Sequence, residues 1–259
     1  MIINQRVFND IISDYAFARP GYPAELYSDI MRFAALNRDA EILEIGSGPG
    51  QATDYFVKEG YSITGLEIGK NQVDYLTEKY ADYQNFKAIC STFEEYEIPD
   101  DSFSLIFSAT AFHWIKPEDG YPKAYRLLKN NGVLAVFWHM SSIIRQQDEV
   151  CEELTRIYQK YAPELDSYIS VDESVTLHKQ NVANIQTQGL FGLPTYKKYQ
   201  WNDEYTDLRL IKLLNSYSDM HEISKEKRDS IFNSVEEYVN SKGGKVTLPQ
   251  EVWLYMVKK

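Results

Sequence analysis

Over residues 40–138 short apolar runs alternate with stretches of helical periodicity, and this alternation predicts both the elements and their order. Runs rich in Ile, Leu, Val and Phe at 41–45, 62–66, 86–90, 104–108 and 133–138 read as strands. Apolar positions three or four apart at 52–59, 71–80 and 121–128 read as helices. The last of these ends at Lys129-Asn130-Asn131-Gly132, a cationic terminus followed by residues that tolerate a left-handed stop. Asp100-Asp101-Ser102 reads as a turn into the fourth strand. Strand and helix in alternation is the pattern of βαβ units, hence of a mostly parallel sheet.

Outside this core the pattern changes. Residues 7–17 and 24–35 look helical, separated by the break Arg19-Pro20-Gly21-Tyr22-Pro23. Residues 143–161 carry an amphipathic helical pattern, which loosens through about Gly192. Residues 195–201 alternate like a strand, 207–217 and 225–240 are helical, and Gly243-Gly244 is a turn. Residues 246–257 read as a last strand with a break near Pro249. A strand, helices, a turn and a final strand after five βα units imply a sheet completed by an antiparallel pair.

Composition narrows the partners. The 259 residues suffice for one α/β domain with elaborations, and 27 basic against 38 acidic residues leave a net charge of −11. That balance disfavours a nucleic acid, which needs a phosphate-neutralising surface. Cys90 and Cys151 lack metal-ligand or redox spacing, and Cys90, inside an apolar run, is expected to be a buried small hydrophobe. With no apolar run of signal-peptide or membrane-spanning length, the expectation is a cytoplasmic protein with no membrane partner. His139 and His178 are expected at ordinary polar positions with no metal. The run Glu94-Glu95-Tyr96-Glu97 reads as a solvated edge with Glu94 at a helix entry. Nothing in the sequence speaks to oligomeric state.

The most informative chemistry follows the first strand, where Glu44 and Ile45 lead into Gly46-Ser47-Gly48-Pro49-Gly50. A strand emptying into glycines and then a helix is how open α/β sheets receive nucleotide-like ligands. A P-loop would end Gly-Lys-Ser/Thr, whereas Gly50 is followed by Gln51-Ala52-Thr53. A dinucleotide fingerprint would place a third glycine where Gln51 stands. Glu44 would repel a pyrophosphate but suits a ligand carrying an ammonium group. S-adenosylmethionine (SAM) is such a ligand. Glu67, at the end of the second strand, stands about twenty residues past Gly46, where a carboxylate can accept from ribose hydroxyls.

The run from Glu41 to Thr53, E-I-L-E-I-G-S-G-P-G-Q-A-T, followed by G-L-E-I-G-K-N-Q-V-D-Y-L, resembles motif I and its sequel in the class I SAM-dependent methyltransferases. Ser91-Thr92-Phe93-Glu94 lies where that family frames adenine. Residues 101–109 resemble its D-x-S-F-D-x-I motif, with Ser104 in place of the usual Asp. Ala111-Phe112-His113-Trp114-Ile115 and residues 127–134 also match, with Asn131 where glycine is usual. Residues 15–23 are similar to the Y-x-x-x-R-P-x-Y-P opening of a subgroup that includes the trans-aconitate methyltransferase-like small-molecule enzymes. The likeness is strong over 40–140 and weak over 141–200.

The resemblance implies a Rossmann-like fold: a seven-stranded, mostly parallel sheet, helices on both faces, an antiparallel final strand and helical cap elements. It implies one methyltransferase domain over 1–259, with an N-terminal helical lid at 1–39 and a SAM-binding core at 40–140. A substrate-side cap would occupy 141–194, and sheet completion with C-terminal helices 195–259. SAM, leaving as S-adenosylhomocysteine, would contact Glu44, Gly46, Ser47, Gly48, Gly50, Glu67, Ile68, Thr92, Phe93, Ser108, Ala109, Tyr15 and Arg19. A small-molecule acceptor, methylated at oxygen or nitrogen and carboxylate-bearing if the subgroup likeness holds, would contact Tyr22, His113 and Trp114.

Methyl transfer from a sulfonium is an in-line displacement, so alignment can supply roughly 7–11 kcal/mol of the barrier. A base is needed only if the acceptor must lose a proton. His113 is the candidate for that role, and the alternatives are that it orients the acceptor or caps the pocket by packing. Arg19 suits a carboxylate, or it ends a helix on which the tyrosines pack. A SAM- or nucleoside-binding sensor or partner subunit without transfer activity is the alternative function. A nicotinamide oxidoreductase is disfavoured by Gln51 and Glu44.

Overall fold

The computed structural model describes residues 12–140, 148–165 and 171–259. Seven strands form one sheet in the order β3-β2-β1-β4-β5-β7-β6. The strands are β1 (Glu41–Ile45), β2 (Ser62–Glu67), β3 (Phe86–Cys90), β4 (Phe103–Ala109), β5 (Leu128–His139), β6 (Thr195–Thr206) and β7 (Lys245–Lys258). Pairing is parallel from β3 through β5, and β7 runs antiparallel to β5. The mostly parallel sheet with an antiparallel completion is therefore what the alternating pattern implied, and its Rossmann-like, seven-stranded form is what the resemblance implied.

The described helices are α1 (Ile12–Ala18), α2 (Ala24–Ala34), α3 (Thr53–Lys58), α4 (Lys70–Lys79), α5 (Pro117–Leu127), α6 (Glu149–Tyr161), α7 (Val171–Ile185), α8 (Asp207–Asn215) and α9 (Lys225–Ser241). The chain moves outward from β1 to β3, then returns to β4 beside β1 and on to β5. With right-handed crossovers, α3 and α4 cover one face and α5 the other. Strands covered on both faces read as continuous apolar runs, and Ile42, Leu43, Leu105, Ile106, Leu134 and Ala135 are fully buried. The reversal of strand order between β1 and β4 is a topological switch point, where open α/β sheets bind ligands.

By contact the chain forms two compact units. One comprises 21–139, 176–199 and 252–259, and holds β1 to β5. The other comprises 1–20, 140–175 and 200–251, with a core of α6, α8 and α9 residues including Leu154, Ile157, Leu210, Leu214, Ile231 and Val235. Among the described residues no helix is long and apolar enough to cross a membrane.

Several expectations need correction. Cys90 is exposed, because β3 is the edge strand of the sheet and only one flank is covered. Glu94 opens no helix; residues 93–95 form a turn. Helix α5 begins at Pro117, earlier than the apolar spacing indicated, since proline is well suited to a first turn that also carries Glu118 and Asp119. It continues through Pro122, and the Glu118 carbonyl that Pro122 cannot engage accepts from Gln188 Nε2 at 3.2 Å.

Residues 129–132 do not follow a helix as a stop but form a bulge within β5, where the register jumps from Phe103↔Leu128 to Leu105↔Val133. Asn131 takes the left-handed position there, φ 64°. Strand β7 runs unbroken through Pro249, which lies beyond the ladder with β5 that ends at Val252. Helix α7 was not anticipated; of its side chains described, Ile185 alone is fully buried, so its apolar stripe is faint. Residues 7–11 and 143–147 of two expected helices lie outside the described residues.

Candidate active site at the switch point

Strand β1 delivers Gly46, Gly48 and Gly50 in left-handed conformations, φ 71°, 52° and 86°. Each glycine answers a different demand. At Gly46 a Cβ would stand 2.4 Å from Ala111 Cβ, so the loops after β1 and β4 touch there. At Gly50 it would meet the Tyr80 hydroxyl at 2.5 Å and Leu76 Cδ2 at 3.0 Å. At Gly48 it would meet nothing within 4 Å, which makes that position open backbone and not tight packing.

The loop is tied on both sides. Gly46 and Ser47 amides donate to the Leu66 carbonyl at 2.9 and 3.1 Å. Tyr80 donates to the Gly50 carbonyl at 3.0 Å and to Asp54 at 2.6 Å. Lys79 Nζ donates to the Pro49 carbonyl at 3.0 Å and pairs with Asp54 at 3.1 Å. Tyr80, Lys79 and Asp54 escaped the sequence reading, because their partnership joins α4 to the loop before α3 across the sheet's connections.

Glu44 is fully buried. Its Oε2 accepts from the Thr53 hydroxyl, and its Oε1 has no partner among the described residues. Burial dominates, pushing its pKa up to about 8, while the nearby hydroxyls of Thr53 and Ser47 oppose the rise. Ser47 Oγ and Gln51 Nε2 are likewise buried without a partner among the described residues. Glu44 Oε1 on β1 and two polar atoms of the loop thus lack the hydrogen bonds that buried polar groups normally make. An acceptor oxygen on an ionisable carboxyl and a hydroxyl suit an ammonium group, which supplies three donors. The Glu44 carboxyl, when ionised, would repel a pyrophosphate.

Glu67 closes β2 with its carboxylate drawn into the backbone. Oε1 accepts from the Ile68 and Gly69 amides at 2.8 and 3.1 Å, and Oε2 from Gly48 at 3.0 Å. Burial raises its pKa, and these three amides oppose that rise. Of about four lone-pair positions on a carboxylate, one remains, at Oε2. Ile68, immediately beyond, is an exposed large apolar side chain.

The other wall follows β4. Ser108 Oγ donates to the Ile45 carbonyl at 2.8 Å, joining the ends of β4 and β1, and Ala109 is half-buried. Thr110 is left-handed, φ 56°, and its Oγ1 is shared by the Tyr22 hydroxyl at 3.1 Å and the His139 amide at 3.2 Å. Tyr22 packs against the rings of Phe137 and His139, with centroids 4.8 and 4.5 Å away. A 3-10 turn, Phe112–Trp114, then presents His113, whose ring lies 4.9 Å from that of Trp114. His113 has exposed surface, yet desolvation by its surroundings lowers its pKa. Trp138 donates from its indole N–H to His113 Nδ1 at 3.2 Å.

Past β3, Thr92 Oγ1 accepts from the Glu95 amide at 3.1 Å, and Phe93 is buried with its ring 6.4 Å from Phe112. In the other unit, Arg19 donates to Ser216 Oγ at 2.9 Å and to the Ser216 carbonyl at 3.3 Å, and its guanidinium lies 4.4 Å from the Tyr217 ring centre. Tyr15 lies on α1, and its side chain is outside the described residues.

The comparisons agree with this architecture. The methyltransferase domain family matches residues 43–136, which span β1 to most of β5. An uncharacterised methyltransferase-like protein of Schizosaccharomyces pombe is 25% identical over 240 residues, covering 91% of this chain and 86% of that protein. Phosphoethanolamine N-methyltransferase 2 of Haemonchus contortus, solved with S-adenosyl-L-methionine, shares the fold with a TM-score of 0.53 at 15% identity, covering 96% of this chain and 56% of that one. The [4+2]-cyclase SpnF shares it with a TM-score of 0.51 at 12% identity, covering 93% of this chain and 83% of that one. With the matched domain, the relative aligned along most of its length and a sheet whose glycine loop opens at the switch point, residues 43–136 are similar to the methyltransferase domain family, and the fold is that of the SAM-bound neighbour.

Proposed function

We propose that the protein binds SAM at the carboxyl ends of β1, β2 and β4 and transfers its methyl group to a small-molecule acceptor at oxygen or nitrogen. The observation that carries this reading is the glycine loop, with Glu44 Oε1 and Ser47 Oγ buried and unpartnered among the described residues. Glu44 and Ser47 would hold the amino-acid end of the donor, and the backbone at Gly46, Gly48 and Gly50 would lie along it. Glu67 would take one ribose hydroxyl at its remaining lone pair, and a second would require the Gly48 amide to yield. Ile68, Thr92 and Phe93 would bound the base, with Ser108 and Ala109 beneath the donor.

When bound, SAM supplies an electrophilic methyl on a sulfonium. The chain's own work is to orient the two reactants and exclude water. Tyr22, His113 and Trp114 stand on the β4 side of the crevice and would face the acceptor. The net charge of −11 supports a small acceptor over a nucleic acid. The likeness of residues 15–23 to the small-molecule subgroup makes a carboxylate-bearing acceptor the first to try.

A second reading, a SAM-binding protein without transfer activity, is favoured by one finding: the fold also serves a [4+2]-cyclase. Calorimetric titration with SAM, S-adenosylhomocysteine and NAD tests the binding. We expect both sulfur ligands to bind and NAD not to; failure of both would refute either reading. Methyl incorporation from labelled SAM across a panel of carboxylic acids, phenols and amines then separates enzyme from binder.

A further inference from the structure

We propose that Trp138 is a positioning residue that holds His113 in a single tautomer, with its proton on Nε2, so that His113 offers the methyl acceptor a hydrogen-bond donor and not a base. The assignment to the acceptor side rests on the function proposed above; the tautomer itself does not.

An indole N–H can only donate. Trp138 Nε1 lies 3.2 Å from His113 Nδ1, so Nδ1 must be the acceptor. A neutral imidazole has one donor nitrogen and one acceptor, hence the hydrogen resides on Nε2. Taking up a second proton would place an N–H on Nδ1 facing the indole N–H, which loses this bond and opposes two donors. To act as a base, His113 would need Nε2 free of hydrogen, and the indole disfavours that state.

Trp138 is well placed to impose this. It lies on β5, beside β4, whose following loop carries His113. Its ring meets Tyr255 edge to face with centroids 5.9 Å apart. Tyr255 is fully buried and its hydroxyl lies 2.9 Å from His178 Nδ1. On the backbone Trp138 stands opposite Trp253 in the antiparallel ladder with β7. The loop bearing His113 is fixed from its other end, since the Thr110 amide donates to the Phe137 carbonyl at 2.8 Å. Both members of the pair therefore sit on anchored backbone.

The consequence for chemistry is specific. An Nε2–H donor steers a lone-pair-bearing group of the acceptor toward the methyl without removing a proton. The nucleophilic atom must then arrive deprotonated, or release its proton to solvent.

The test is long-range ¹H–¹⁵N NMR of histidine-labelled protein, with His113 assigned among the four histidines through His113→Gln. We expect a pyrrole-type Nε2 and a pyridine-type Nδ1 in the parent protein, and a mixture of tautomers in Trp138→Phe. The opposite tautomer in the parent protein overturns the proposal even if Trp138→Phe fails to fold, and so does an unchanged spectrum in a folded Trp138→Phe. Where a methyl acceptor is in hand, His113→Gln keeps a donor but no base. We expect it to stay within about tenfold of the parent rate, with His113→Ala lower. A Gln variant as depleted as Ala, on the order of 10²–10⁴, would restore the base. The NMR result stands whether or not the protein methylates anything, so failure of this proposal and failure of the functional one are told apart.

Discussion

Glu44→Gln probes the buried carboxyl on which the cofactor assignment turns. In the folded protein its pKa is pushed up to about 8, against 4.5 for an ordinary glutamate, chiefly because burial penalises the carboxylate. Between these values the folded chain holds a proton that the unfolded chain has released. Stability from this group is therefore complete below pH 4.5 and is lost as pH rises through about 8. At about 1.4 kcal/mol per unit, the whole interval amounts to about 5 kcal/mol, an upper bound that local relaxation reduces. A glutamine of the same shape keeps an acceptor for the Thr53 hydroxyl and stays neutral throughout. Urea unfolding of both proteins at about pH 5.5, 7 and 8.5 measures the difference. The variant should gain on the parent by about 1 kcal/mol per pH unit, or about 3 kcal/mol across the range. Parallel stability profiles would refute the burial argument. The same carboxyl couples to ligand: an ammonium group beside it favours the ionised form. SAM binding near pH 7 should therefore release close to one proton in the parent and none in the variant. Calorimetry in buffers of different ionisation heat reads that directly, and equal proton release in both would remove Glu44 from the site.

Gly48→Val, with φ 52° and open space beyond, should retain the fold within about 2 kcal/mol while abolishing SAM binding by calorimetry. Gly46→Ala should instead lower the melting temperature, since its Cβ would stand 2.4 Å from that of Ala111. Tyr80→Phe removes the hydrogen bonds to Gly50 and Asp54, and should destabilise by about 1–3 kcal/mol with weaker SAM affinity, read by thermal melts and titration. With a thiol reagent at pH 8, the exposed Cys90 should react in the native protein. Cys151, buried and with its pKa pushed up to about 12, should react only on unfolding.

The parallel core and the glycine loop at its end were legible in local sequence. Strands β1 to β4 are short apolar runs bounded by turns, so local composition and period sufficed to place them within a residue or so. The glycine spacing and Glu44 are local too, which is why the likeness to the methyltransferases was legible there. Tertiary structure decided what depends on neighbours distant along the chain. Cys90 is exposed because β3 has a strand on one side only, a fact about strand order and not about its own apolar run. Helix α7 was missed because little of its described surface is buried, leaving no strong period to read. Pro249 sits within β7 because the ladder with β5 begins beyond it. The same holds at the site: the Tyr80 and Lys79 clamps on the glycine loop and the indole on His113 Nδ1 join residues 25 to 30 positions apart. Such pairs carry no periodic signature. Only the closing of the sheet brings them within hydrogen-bonding distance.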